Sequence, residues 1–306
     1  MRKQTPEEEI FMYNLKILLS LILLSSVSLM AHSSSETDSK QKMAFTVTQL
    51  TDNISVLIVN SSGAGNIAIL TGEDGVIMID DTLPPLADDL KAAIKQVTDK
   101  PVDFIINTHV HGDHLGNNEL FAKDGTWVIG HEKIRTRLLN KEEEVSEHML
   151  PVITFSDQMT FHLNNHTAKV IHTPASHTDG DAFIHYEEAN IIHTGDLMFN
   201  YLFPFIDIAS GGNIDNYIAA QKQMLSLSDD KTQIIPGHGP MATKADLQAS
   251  IAMLEGSKAI INALIKQGLT EDEIVKKNPL QKYHDAWNWR FITTERMTRQ
   301  MVKGLL

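Results

Sequence analysis

The chain has 306 residues, 42% apolar and 21% charged, a balance that excludes disorder, collagen-like repeats and a long coiled coil and leaves length for one large domain or two small ones. Its 39 acidic and 26 basic residues give a net charge of −13, a field that repels phosphate backbones and argues against a nucleic-acid partner. There is no cysteine, which excludes disulfides, thiolate nucleophiles and Cys-based zinc sites without revealing the compartment.

The run Asn14 to Ala31 has an apolar core of about a dozen residues, shorter than the ~20 that span a bilayer as a helix. Lys16 precedes this core, and Ser26, Ser28 and Ala31 follow it or lie near its end, so residues 1–31 read as a secretory signal peptide with no stable membrane anchor left after cleavage. Pro6-Glu-Glu-Glu9 is wrong for a basic leader, which places the expected translation start at Met12. Residues 32–42 read as a flexible polar lead-in, and 43–306 as the mature domain with a helical C-terminal tail.

Within that domain, Phe45–Leu50 with Ile54–Asn60, and Gly65–Leu70 with Val76–Ile79, have the spacing of hairpins. The pattern predicts a helix over Pro84–Thr98, a strand over Val102–Ile106, a strand over Trp127–Gly130 and a helix over His131–Asn140. Strands are expected again at Met159–Leu163, Lys169–His172, Ala182–Tyr186 and Ile191–His193. A helix over Ile214–Leu227, a strand over Gln233–Ile235 and mostly helix from Ala242 complete the chain. This order is neither strictly βαβ nor all-β, and predicts an α+β fold of two mixed sheets with helices outside.

The chemistry concentrates in Thr108-His-Val-His-Gly-Asp-His114, which packs His109, His111, Asp113 and His114 into six positions after a buried-strand pattern. Imidazole and carboxylate are the donors that suit Zn²⁺ where thiolate is absent. His177 in Pro174–Gly180, Asp196 in Thr194–Leu197 and His238 in Pro236–Pro240 each follow a predicted strand beside a turn, where a distant loop can complete a metal site. His131, His148, His162, His166, His172, His185, His193 and His284 have no such claim; His172 and His193 read as core histidines.

These residues resemble the signature of the metallo-β-lactamase superfamily, over roughly residues 45–240. The resemblance implies a four-layer αββα sandwich with two Zn²⁺ ions at one edge: His109, His111 and His177 on the first, Asp113, His114 and His238 on the second, and Asp196 bridging. It leaves iron and manganese open as replacements. It further implies a hydroxide shared by the metals that attacks a carbonyl, with Asp113 orienting the nucleophile as the catalytic residue. An acidic residue at the end of Val76–Ile79, Asp80 or Asp81, would brace the first His cluster, although a carboxylate ahead of the Pro84 helix explains either equally well. Thr108 and Thr194 serve as ligand braces or as turn residues.

The family's penicillin-opening members carry a Cys or a non-coordinating residue near Asp196, often with a Lys three positions later; here that position is Phe199. Glyoxalase II members resemble Thr194-Gly-Asp196 and the following Leu-Met-Phe199, but their Gly-Cys-Gly-Arg is replaced by Asn200–Asp207. The short stretch between Asp196 and His238 leaves no room for a nucleic-acid clamp, and an iron flavoprotein would need a carboxylate at His111. The expectation is therefore an exported, periplasmic dinuclear zinc hydrolase cleaving an ester, lactone, thioester or amide of a small molecule. The alternatives are a true β-lactamase and a non-catalytic metal-binding accessory protein. Tyr201, Phe203, Pro204 and Phe205 form either an apolar wall over the metals or core, and Trp287–Arg290 reads as a packing anchor in preference to the alternative, a C-terminal flap.

Overall fold

A computed structural model of the chain describes residues 44–60 and 63–306; the signal-peptide, start-site and lead-in readings lie outside the described residues. Among the described residues, twelve strands form two sheets. The first, in spatial order, holds β1 (Phe45–Gln49), β2 (Ile54–Val59), β3 (Ile67–Leu70), β4 (Ile77–Ile79), β5 (Phe104–Ile106), β6 (Trp127–His131) and β7 (Ile153–Phe155). The second runs β12 (Gln233–Ile235), β11 (Ile191–His193), β10 (Asp181–Tyr186), β9 (His166–Thr173) and β8 (Gln158–Leu163). The helices are α1 (Ala87–Val97), α2 (Gly112–Leu115), α3 (Asn118–Lys123), α4 (Glu132–Leu139), α5 (Ile214–Ser226), α6 (Lys244–Ile265), α7 (Glu271–Lys276), α8 (His284–Trp287) and α9 (Thr294–Leu305).

Side-chain alternation explains the layering. Ile54, Val56, Ile77, Ile79 and Ile106 of the first sheet meet Val170, Ile184, Ile191 and Ile235 of the second in one core between the sheets. Their neighbours face the other way: Leu57, Ile69, Met78 and Ile105 pack on Leu90 and Ile94 of α1. Phe183, Ile192 and Ile234 pack beneath α5, α6 and the C-terminal helices. The inner strands β3, β4 and β11 are buried on both faces and are apolar runs, whereas the edge strands β1 and β8 expose alternate residues; each fully buried Ile or Leu contributes about 1.5–3 kcal/mol. The result is the αββα sandwich expected.

The departures are local. Pro84 starts a 3₁₀ turn, Pro84–Leu86, and the α-helix proper begins at Ala87. β7 and the short helices α2 and α3 have no periodicity of their own: β7 is three residues paired in parallel to β6.

Candidate metal centre

Four parallel-running strands aim their carboxyl ends at one edge. β4 and β5 pair in parallel with Ile79 beside Ile106, which sets Asp80 next to the Asn107–His114 loop. β11 and β12 pair in parallel with His193 beside Ile235, which sets the Asp196 turn next to Pro236–His238. The Gly237 N–H donates to the Gly195 carbonyl at 2.8 Å, and a Cβ at 237 would lie 2.1 Å from Asp196 Oδ1. Only glycine permits that approach. His177 hangs in the loop from β9 to β10, its N–H donating to Asp181 Oδ2 at 2.6 Å.

The seven sequence-derived candidates converge in two groups. One donor atom each from His109, His111, His177 and Asp196 lie within 4.8 Å of one another, as do donor atoms of Asp113, His114 and His238. Asp196 reaches both groups. Its Oδ2 lies 3.4 Å from His177 Nε2 and 3.6 Å from His109 Nε2, while its Oδ1 lies 3.0 Å from His114 Nε2 and 3.3 Å from His238 Nε2. Asp113 Oδ2 is 3.2 Å from His238 Nε2.

Partners on the outer nitrogens orient the imidazoles. The His177 Nδ1–H donates to the Phe205 carbonyl at 2.7 Å, leaving Nε2 inward. His111 is turned the other way: its Nε2 pairs with Asp207 Oδ2 at 3.1 Å, and its Nδ1 faces His177 Nε2 at 2.9 Å. Asp80, fully buried at the end of β4, accepts from the Thr108 N–H at 2.7 Å and Thr108 Oγ1 at 2.8 Å, and pairs with His114 Nδ1 at 2.7 Å. Thr108 Oγ1 also lies 3.0 Å from His109 Nδ1, so one carboxylate supports a histidine of each group.

These donors fit a cation. As neutral imidazoles with their outer nitrogens committed as donors, His111 and His177 point lone pairs at each other, and the buried His109 Nε2 has no hydrogen-bond partner. A divalent ion satisfies all three. Burial, aided by neighbouring histidines, holds His109 well below its usual range and His177 at about 4. Burial also opposes charge on His114 and His238, but Asp196 and Asp113 outweigh it, raising His114 well above its ordinary value and His238 to about 9. The fold therefore supplies a divalent-metal site from His and Asp donors.

The remaining candidates divide. Asp80 is the acid that braces the cluster, whereas Asp81 accepts from the Asn117 N–H at 2.9 Å and burial pushes its pKa well up. Thr194 closes its own turn on the Gly195 carbonyl. His193 is a satisfied core histidine, bonded to the Asn66 carbonyl and the Gly195 N–H. His172 is half-buried, stacked on His131 and paired with the Asp181 carbonyl. The expected wall is broken up: Phe203 is fully buried in the core, and Tyr201 is 54% exposed and bonds Asp246. Phe205 does reach the cleft, a cavity of about 610 Å³ walled also by Leu83, Phe199, Trp289, Arg290 and Phe291 above the two groups. Trp287 is a buried packing anchor, while the next residues line the opening. Sequence reasoning missed Asp207 and the Phe205 carbonyl. The one available signal for Asp207 is an acid inside the otherwise apolar run Leu202–Ile208.

Comparison with known families settles the ancestry. Residues 61–238 match the sequence profile of the metallo-beta-lactamase superfamily. The chain belongs to that superfamily. A hydroxyacylglutathione hydrolase from Pelagibacter ubique is 30% identical over 233 residues, covering 75% of this chain and 82% of that protein. The alpha subunit of a 2,4-dinitroanisole O-demethylase from a Nocardioides strain is 22% identical, covering 72% and 67%. Among solved structures, a metallo-beta-lactamase from Pontibacter korlensis superposes with a TM-score of 0.60 at 19% identity, covering 69% of this chain and 99% of that one. At that identity it shares the fold alone. As a superfamily hydrolase, the chain keeps its His and Asp donors within the matched segment, while Trp289, Arg290 and Phe291 lie beyond it.

Proposed function

We propose that this superfamily member is an exported, periplasmic dinuclear zinc hydrolase acting on a carbonyl group of a small molecule. The observation that carries the reading is Asp196, which turns one oxygen to each donor group. His109, His111 and His177 would hold one ion, Asp113, His114 and His238 the second, with Asp196 between them. A thiolate-free set of imidazoles and carboxylates suits zinc. When bound, such a pair supplies Lewis acidity toward the carbonyl and acidifies a water to near-neutral pKa.

The protein's own residues do the rest. Asp80, Asp207 and the Phe205 carbonyl fix which ring nitrogen of His114, His111 and His177 faces inward. Asp113 lines the cleft beside His238 and orients the nucleophile. The apolar wall excludes water from the substrate's body. An ester, lactone or thioester is favoured because an Asp stands at position 196 and because the relative that is 30% identical is named for hydrolysis of an acylglutathione. Export rests on residues 14–31.

The test is hydrolysis by the zinc-loaded protein from Met43 onward, offered an aryl ester, an acyl thioester, a lactone and a carbapenem, with Asp196→Ala as blank and zinc counted by mass spectrometry. Turnover of one of the first three, with two zinc per chain, is expected. Carbapenem turnover alone, near ~10⁴ M⁻¹s⁻¹ in kcat/KM, would make it a β-lactamase. Two zinc ions without turnover would make it an accessory protein, and loading below one equivalent would overturn the reading.

A further inference from the structure

The rings of the cleft form a continuous arc between the two donor groups. From His111 it runs to Phe205 at 5.8 Å between centroids, then Phe291 at 5.6 Å, Trp289 at 5.6 Å, Phe199 at 6.2 Å, and finally His238, on which Phe199 stacks at 4.8 Å. Arg290 sits between Trp289 and Phe291, at the middle of the arc; it is exposed and is one of the residues that line the cleft.

Its guanidinium has neither a hydrogen-bond nor an ion-pair partner among the described residues. The other described arginines are all engaged: Arg135 on the Pro151 carbonyl, Arg137 on Asp179, Arg296 on the Phe291 carbonyl and ring, and Arg299 on Glu271, Asp272 and Glu295. The backbone under Arg290 is nonetheless held. Trp289 Nε1–H donates to the Phe203 carbonyl at 2.9 Å, the Thr294 N–H to Asn288 Oδ1 at 2.8 Å, and the Arg296 guanidinium lies 4.5 Å from the Phe291 ring centre. A cationic fork thus projects from a braced loop, at the rim of an apolar cleft, in a chain of net charge −13. The acidic side chains lining that cleft are Asp113 and Asp196, both within the donor groups.

We propose that Arg290 is the substrate-specificity residue of this cleft, and that the substrate is an anionic carbonyl compound whose carboxylate pairs with Arg290 across an apolar or aromatic body that lies on the arc. The substrate class rests on the hydrolase reading above; the binding role of Arg290 does not. A guanidinium offers two parallel donors to a carboxylate, and a preorganised loop spares the ordering entropy of binding. The arc supplies stacking area between the reacting end and the charged end.

The binding test is calorimetric titration of the zinc-loaded protein with 4-phenylbutyrate and with its neutral amide. Wild type is expected to prefer the carboxylate by about tenfold, Arg290→Gln to bring the ratio near one, and Arg290→Lys to keep part of it. The ratio is also expected to survive chelation of the metal, because it belongs to the guanidinium. No preference in wild type, or an unchanged preference in Arg290→Gln, would overturn the proposal, the latter placing the carboxylate on the metals. The kinetic counterpart compares the mono-4-nitrophenyl ester of adipic acid with its methyl ester, where Arg290→Gln is expected to raise the ratio of their KM values about tenfold. If no carbonyl substrate turns over, the hydrolase reading falls while the calorimetric ratio still decides the role of Arg290.

Discussion

Asp80→Asn tests whether the metal groups depend on a carboxylate they do not themselves contain. The substitution keeps size and shape, and Asn tolerates the backbone φ of +64° at this position, so the fold is not strained by it. What changes is hydrogen-bond polarity. Asp80 faces three donors, the Thr108 N–H, the Thr108 hydroxyl and His114 Nδ1. An Asn has one acceptor oxygen. With it turned to the Thr108 N–H, the amide N–H₂ meets the hydroxyl, which can rotate to accept, and His114 Nδ1, which must give up its proton. The neutral ring then carries its proton on Nε2, aimed at Asp196, Asp113 and His238. Loss of such a support costs about 10–100-fold in metal affinity, or about 1.4–2.8 kcal/mol, and the weakened charge-assisted bonds cost the metal-free fold about 1.5–3 kcal/mol more. Competition against a fluorescent zinc chelator reads the first, and urea unfolding of the metal-free protein the second. Wild-type zinc affinity in Asp80→Asn would refute the account.

Proton release follows from the raised His114 and His238. Both are protonated at pH 7 in the metal-free protein, whereas His109 and His177 are neutral, so loading the Asp113 group expels about two protons while His109 and His177 release none. Calorimetry in two buffers of different ionisation enthalpy measures this, and loading without net release would contradict it. Because both folded-state pKa values lie above the unfolded one, their stabilisation of the metal-free protein is complete below about pH 6.5, and the part due to His238 is lost as pH rises through about 9. The melting temperature of the chelated protein should fall across that window, and that of the loaded protein should fall less. Asp207→Ala frees His111 Nε2 and should weaken zinc binding about tenfold, read by the same chelator competition. Gly237→Ala drives a Cβ into Asp196 Oδ1 and should displace the carboxylate shared by both groups, with metal loss seen by mass spectrometry.

The legible parts of the molecule were those written in contiguous residues. The apolar strands announced themselves because strands covered on both faces need unbroken runs, and the seven donors because each follows such a run directly. β7 escaped notice because three residues show no period; its parallel partner β6 places it. Asp80 and Asp81 could not be told apart in sequence, since neighbouring positions differ only in the way the chain turns: the positive φ of Asp80 carries its carboxylate to His114, while Asp81 turns to Asn117. The cleft wall was the least legible. It joins Phe199 and Phe205 to a loop more than eighty residues later, and in local pattern Phe203 and Phe205 look alike although one is core and the other lines the opening.

Phe205 serves two masters with two different parts of itself. Its carbonyl fixes the His177 tautomer, and its ring shapes the space the substrate enters. Every amino acid has the carbonyl; only the ring is particular. Evolution can therefore exchange the side chain at 205, and with it the molecules admitted, without disturbing the imidazole behind it. The position lets a lineage drift in diet while its chemistry stands still.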